Sequence, residues 1–167
     1  LVLSPGACVS APLRCPSPGA WRDSALSADA RLMTPEGPKP AGHLLPGDHL
    51  LTRDDGPVRV LWVGQTHLSA SHLAEHPDYA PIAIDAGALA TAQPRRNLLL
   101  SPRAGVLCLR RDLPQGGQLM PARSLVHQDG IRVAREIRDI TYVQILLETH
   151  AIILADGLEV DSLHPCR

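Results

Sequence analysis

From Ala25 onward the sequence is a succession of short apolar runs separated by turn signals. Pro35-Glu36-Gly37, Pro46-Gly47-Asp48, Asp55-Gly56-Pro57, Gly116-Gly117, Asp129-Gly130 and Asp156-Gly157 mark the breaks. Glycine after aspartate suits turns with positive φ, because it has no Cβ to clash there. Runs this short, punctuated this often, predict an all-β domain. The expected strands are Arg31–Thr34, Leu50–Arg53, Val58–Val63, Ile82–Asp85, Leu98–Leu100, Val106–Arg110, Gln118–Met120, Ile140–Leu146, Ala151–Leu154 and Leu158–Val160. Helix is expected only as turns, at residues 70–76 and at Ala122–His127 after Pro121.

One stretch reads two ways. Ile131 to Ala155 contains neither Gly nor Pro, and Ile137, Ile140, Val143, Leu147 and His150 fall near one helical face. Against that, Ile140, Thr141, Val143, Ile145, Thr149, Ile152 and Ile153 are β-branched. Such side chains are stiff at χ1 and fit a pleated surface better than a helix, so strands are predicted.

Residues 1–24 are of a different kind. Pro5, Pro12, Pro16 and Pro18 alternate with Ser and Gly, which predicts a disordered Pro-rich tail or linker ahead of a domain at 25–167. The opening Leu1-Val2-Leu3 has no basic flank and is broken at Pro5 and Gly6, so a signal peptide is not expected. The chain reads as a piece of a longer protein. Without Phe, the core must come from Leu, Ile, Val and Ala. A formal net charge of -1 gives no reason to expect a nucleic acid or an anionic membrane surface as partner. No apolar run approaches the ~20 residues of a membrane-spanning helix. Cys8, Cys15, Cys108 and Cys166 form no Cys-x-x-Cys and are expected to be free thiols.

One motif points to metal chemistry. His72-Leu73-Ala74-Glu75-His76 matches H-x-x-E-H, in which two histidines on one helical face bind zinc and the glutamate acts as base. Pro77 stops this stretch, so the helix would be short, and no third ligand stands out downstream. The other histidines show no ligand spacing, so no metal or cofactor is expected. A solvated loop is the preferred reading, and a zinc hydrolase is a remote one.

Several motifs taken in order carry a resemblance. They are Arg31-Leu-Met-Thr34-Pro-Glu-Gly37, Leu44-Leu-Pro46-Gly47-Asp48, Val60-Leu-Trp62-Val-Gly64 and Pro81-Ile-Ala-Ile84. Leu100-Ser101-Pro102, Met120-Pro-Ala122, Ile140-Thr-Tyr142-Val143, His150 through Leu158, and Asp161-Ser162-Leu163-His164-Pro165 follow. Over about residues 25–165 the sequence resembles a Hint domain, the all-β fold of inteins and the hedgehog autoprocessing region. Within it the chain is most similar to a bacterial branch common in α-proteobacteria. The resemblance implies a fold of short, mostly antiparallel strands with little helix. It also implies a covalently attached upstream protein segment as the natural partner.

The family's chemistry is an intramolecular acyl shift. A Cys or Ser side chain attacks the carbonyl of the preceding residue, and a Thr/Ser-x-x-His histidine protonates the departing amide nitrogen. Aligned on Thr34-Pro35-Glu36-Gly37, the nucleophile position falls on Ala25, whose methyl group cannot attack a carbonyl. The support motif falls on Ser101-Pro102-Arg103-Ala104, so the histidine position is Ala104. Ser101 by itself reads as a turn serine before Pro102. His150 stands where the family has a late histidine, and also reads as a structural histidine in a turn. The terminal Asn that splicing needs is absent. A degenerate, non-cleaving copy is therefore expected. The alternative is cleavage through Ser24, one residue upstream, which a strand would turn to the opposite face.

Overall fold

The computed structural model describes residues 24–89, 92–109 and 117–163. Of the predicted tail only Ser24 lies within them, and Arg110, Gly116 and three of the cysteines lie outside. The strands are β1 (Leu26–Ser27), β2 (Arg31–Thr34), β3 (Gly37–Pro40), β4 (His49–Leu51), β5 (Pro57–Leu68), β6 (Ile82–Ile84) and β7 (Leu98–Leu100). There follow β8 (Gly105–Cys108), β9 (Gln118–Pro121), β10 (Ile131–Val133), β11 (Ile140–Leu147), β12 (Ile152–Ala155) and β13 (Leu158–Asp161). Helix α1 (Ala70–Glu75) is joined by 3₁₀ turns at Ala41–His43, Pro77–Tyr79 and Ala122–Leu125.

The strands form two sheets. One runs β10-β6-β7-β1-β11-β5-β4 and the other β3-β2-β12-β13-β8-β9. Every strand pairing is antiparallel; an isolated bridge between Leu146 and Leu163 is parallel. The ambiguous stretch 131–155 resolves into β10, β11 and β12 with no helix. The reason is burial. Six consecutive residues of β11, Tyr142 to Leu147, are buried, so both faces of this strand are covered. A strand covered on both faces reads as a continuous apolar run, which also produces accidental helical periodicity.

Three strands went unpredicted, and the bounds of others moved. β5 does not end at Val63 but continues through Gly64 to Leu68, because β11 pairs with it from Val60 to Leu68. Leu61 is the extra residue of a bulge: Leu146 faces Trp62 while Leu147 faces Val60. A Cβ on Gly64 would stand 2.1 Å from the Trp62 ring, so the indole lies across the bare backbone there. β3 carries Pro38 and Pro40, which argue against a strand in sequence. It is an edge strand, where a missing N–H breaks no ladder. β1 is only two residues long, and β10 sits at the other sheet's edge. Arg53 and Asp85, predicted to end strands, lie beyond the observed β4 and β6, and the strand expected at Ala151–Leu154 is shifted by one residue.

The core is aliphatic. Its main cluster draws on both sheets, with Leu32, Leu50, Ile84, Leu100, Val106 and Leu147 among its members. A smaller cluster holds Ala25, Leu68, Leu73, Tyr79, Ile140 and Tyr142. The Tyr142 hydroxyl, buried inside it, donates to the main-chain oxygen of Tyr79 at 2.9 Å. Burial pushes that phenol well above its ordinary pKa of 10.0. Asp156-Gly157 makes the two-residue turn of the β12–β13 hairpin, with φ of 49° and 85°. The buried Asp156 carboxylate accepts from Arg96 Nε at 2.8 Å and from Arg31 N–H at 3.1 Å. It thereby ties the hairpin turn to the start of β2. No helix of the described residues is long and apolar enough to cross a membrane.

Three outcomes are expected from this packing. Tyr142→Phe should cost about 1 kcal/mol in chemical denaturation, the value of one buried hydrogen bond. Gly157→Ala should cost about 1–2 kcal/mol for the left-handed φ alone. The new methyl would also meet Gln93 Oε1, the end of a flexible side chain that can turn aside at little further cost. The third outcome concerns pH. Lys39 Nζ donates to Asp48 Oδ2 at 2.7 Å, and this bond, with the Leu45 N–H, holds the Asp48 carboxyl below its ordinary 3.8. A carboxyl depressed by folding stabilises the fold above its unfolded pKa and loses that contribution as pH falls through the folded value. Lys39→Met should therefore raise the Asp48 pKa in an NMR titration. The pair is half exposed, so the accompanying loss at neutral pH should stay below about 1 kcal/mol.

Candidate active site around the peptide bond between residues 24 and 25

The backbone of Ala25 enters the centre of the larger sheet. β1, which begins at the next residue, lies between β7 and β11, with Leu26 opposite both Leu100 and Val143. Ser101 follows β7 directly, and this places it beside Ala25. Two hydrogen bonds join the two residues. The Ala25 N–H donates to Ser101 Oγ at 3.1 Å, and the Ser101 N–H donates to the Ala25 oxygen at 3.0 Å. The nitrogen so held belongs to the peptide bond between Ser24 and Ala25. Ser101 is fully buried, so its hydroxyl does more than terminate a turn.

Ser101 to Ala104 forms a tight turn, closed by the Ala104 N–H donating to the Ser101 oxygen at 3.0 Å. The Ala104 oxygen accepts from the Ala122 N–H at 2.9 Å, which fixes the turn against the following 3₁₀ turn. Ala25 and Ala104 are 1% and 0% exposed. The Ala25 methyl packs in the smaller apolar cluster, while Leu26 belongs to the main core, as strand alternation requires.

Ser24 faces different partners. Its hydroxyl donates to the main-chain oxygen of Asp161 at 3.0 Å. The Asp161 carboxylate in turn is hydrogen-bonded through Oδ1 to His150 Nε2. His150 and Asp161 meet because the Asp156-Gly157 turn sets the hairpin register that pairs Ile152 with Asp161. The strands end where Ala151 N–H donates to Ser162 Oγ and Ser162 N–H donates back to the Ala151 oxygen, both at 3.1 Å. So the residues singled out in the sequence do converge. The Ala25 amide meets Ser101 at the head of the Ser101–Ala104 turn, and the Ser24 hydroxyl meets Asp161, which pairs with His150.

Asp161 is the participant that the sequence reading passed over. Counting back from the Asp-Gly turn would have placed it beside His150, since a two-residue hairpin loop fixes the register. Neither the Ala25 methyl nor the Ala104 methyl has a lone pair or a proton to give, and the Ser24 hydroxyl directs its proton to a carbonyl oxygen. Cys108 lies in β8, and burial raises its thiol above the ordinary value.

The zinc-type stretch is elsewhere. α1 is six residues long, His72 lies within it, and His76 is its C-cap, stacked on the Tyr79 ring at 4.8 Å between centroids. Among the described residues, no three His, Cys, Asp or Glu side chains come together in a way that could hold a metal ion.

Comparison with known proteins agrees with the architecture. No curated protein matches this chain. The MchDnaB-1 intein matches over 83% of this chain and 100% of its own, with a TM-score of 0.55 and 12% identity. A DnaB intein from Synechocystis sp. PCC 6803 matches over 85% and 100%, with a TM-score of 0.55 and 10% identity. The Msm DnaB1 intein splicing domain, solved with zinc bound, covers 83% and 100%, with a TM-score of 0.54 and 15% identity. At these identities the likeness is one of fold. The family model described as "Hint domain" matches residues 24–167. With that span matched, the chain belongs to the Hint domain family.

Proposed function

We propose that this Hint domain no longer cleaves itself and persists as a folded module attached to an upstream protein segment. The observation that carries the reading is the bond from the Ala25 N–H to Ser101 Oγ. Ser101 is the residue that the family motif aligns with the Thr/Ser of its support turn. Its hydroxyl touches the amide that the family's reaction would break. The side chain that would attack is then that of residue 25, and the histidine that would protonate the leaving nitrogen is that of residue 104. Both positions hold buried methyl groups. General acid catalysis contributes about 10²–10⁴ in rate, and loss of the nucleophile removes the covalent step altogether.

The competing reading, cleavage between Asp23 and Ser24 through the Ser24 hydroxyl, also has an observation in its favour. Ser24 meets Asp161, and Asp161 pairs with His150. Proton traffic weighs against it, because the hydroxyl donates to a main-chain oxygen rather than to the imidazole.

Intact mass after incubation with dithiothreitol or hydroxylamine separates the two. The unmodified chain should keep its full mass, and a fragment ending at residue 23 or 24 would refute the inert reading. In the double variant Ala25→Cys, Ala104→His, the new thiolate should attack the Ser24 carbonyl carbon. The bond to the nitrogen of residue 25 breaks, the imidazole introduced at position 104 protonates that nitrogen, and the Ser24 acyl group passes to sulfur. Dithiothreitol then releases it as a fragment ending at Ser24. Ala25→Cys alone should do so about 10²–10⁴ times more slowly.

A further inference from the structure

A cavity of about 350 Å³ opens beside the Ser101–Ala104 turn. Its wall is lined by Arg103 from that turn, Arg123 from the 3₁₀ turn behind it, and Arg135 from the loop after β10. These segments are far apart in sequence. They are brought together by backbone bonds, from Arg123 N–H to the Pro102 oxygen at 2.9 Å and from Ala134 N–H to the Pro81 oxygen at 2.8 Å. The accessible apolar lining includes Pro77 and Val133, above the buried Tyr79, Ala80 and Ile82. A second hollow of about 330 Å³ adjoins it, sharing Pro77, Ala80 and Arg135 and continuing over Leu73 and Ile137.

The charge here is not compensated. Asp78 is the one carboxylate in the first lining, so three guanidiniums leave an excess of two positive charges. Arg53, Arg96 and Arg132 form ion pairs with Glu159, Asp156 and Glu136. Among the described residues, no such pair involves Arg103, Arg123 or Arg135. The chain as a whole is slightly acidic, so this concentration does not follow from general basicity. Guanidinium forks match the oxygens of phosphate and carboxylate groups, and the double excess matches a dianion.

We propose that this cavity binds a phosphate monoester with an apolar body, the phosphate among the three guanidiniums and the body against Pro77 and Val133. The site is separate from the chemistry of the 24–25 peptide, and it stands whether or not the chain cleaves itself. Calorimetric titration of the full chain with phenyl phosphate, inorganic phosphate and phenol tests it. Phenyl phosphate should bind at least about tenfold more tightly than either fragment, because only it uses both charge and apolar surface. Arg123→Gln and Arg135→Gln should each weaken it about tenfold while leaving the ligand-free melting temperature unchanged, since both side chains are exposed. Equal affinity for inorganic phosphate would overturn the proposal. So would a phenyl phosphate titration indifferent to both substitutions, or no detectable binding up to about 10 mM.

Discussion

A pair of hydrogen bonds between the backbone of Ala25 and the serine that follows β7 organises the centre of this molecule. It fixes where the chain enters the larger sheet and hence the register of a strand only two residues long. Leu26 has one rung on each side, to Leu100 and to Val143. Because side chains alternate along a strand, fixing residue 25 also fixes which side chains face the peptide bond before it. The methyl of residue 25 goes into the apolar cluster around Tyr142, and the hydroxyl of residue 24 goes to Asp161. A slip by one residue would exchange these environments and bury a hydroxyl among aliphatic groups, which is costly without a partner.

The surrounding structure holds this geometry without the reactive groups. The Ser101–Ala104 turn is still closed by its internal bond and braced by Ala122. The β12–β13 hairpin brings Asp161, paired with His150, to the Ser24 hydroxyl. Nothing in these contacts depends on a thiol at 25 or an imidazole at 104. Backbone bonds and aliphatic packing suffice to hold the fold. Two alanines also suit these buried positions, since a methyl group loses no rotamer freedom and brings no polar atom needing a partner.

Most of the strands were legible because their signals are local. Asp156-Gly157 and the flanking alternation specify a hairpin, and Leu98–Leu100 is a short apolar run between breakers. What was not legible depends on partners far away in sequence. Gly37-Pro38-Lys39-Pro40 becomes a strand because its position at the sheet edge tolerates proline. The extension of β5 beyond Gly64 needs β11 beside it, and Leu26–Ser27 is too short to carry any periodicity. At the site, the positions of Ala25, Ser101 and Ala104 followed from motif order. The meeting of Asp161 with His150 was within reach of the hairpin register that the Asp-Gly turn sets. The bond between Ser101 and the Ala25 amide was not, because it joins by topology residues far apart in sequence, which no composition or spacing encodes directly. The convergence of Arg103, Arg123 and Arg135 is of the same kind.

The account rests on Ser101 holding the amide of residue 25, and amide hydrogen exchange measures that bond directly. In the unmodified chain the Ala25 amide should exchange slowly. Ser101→Ala should accelerate it selectively, leaving the Ala28 amide, which donates to the Thr141 oxygen, protected as before. An Ala25 amide that exchanges at the rate of an unprotected residue, or that is indifferent to Ser101→Ala, would contradict the register on which the inert site is built.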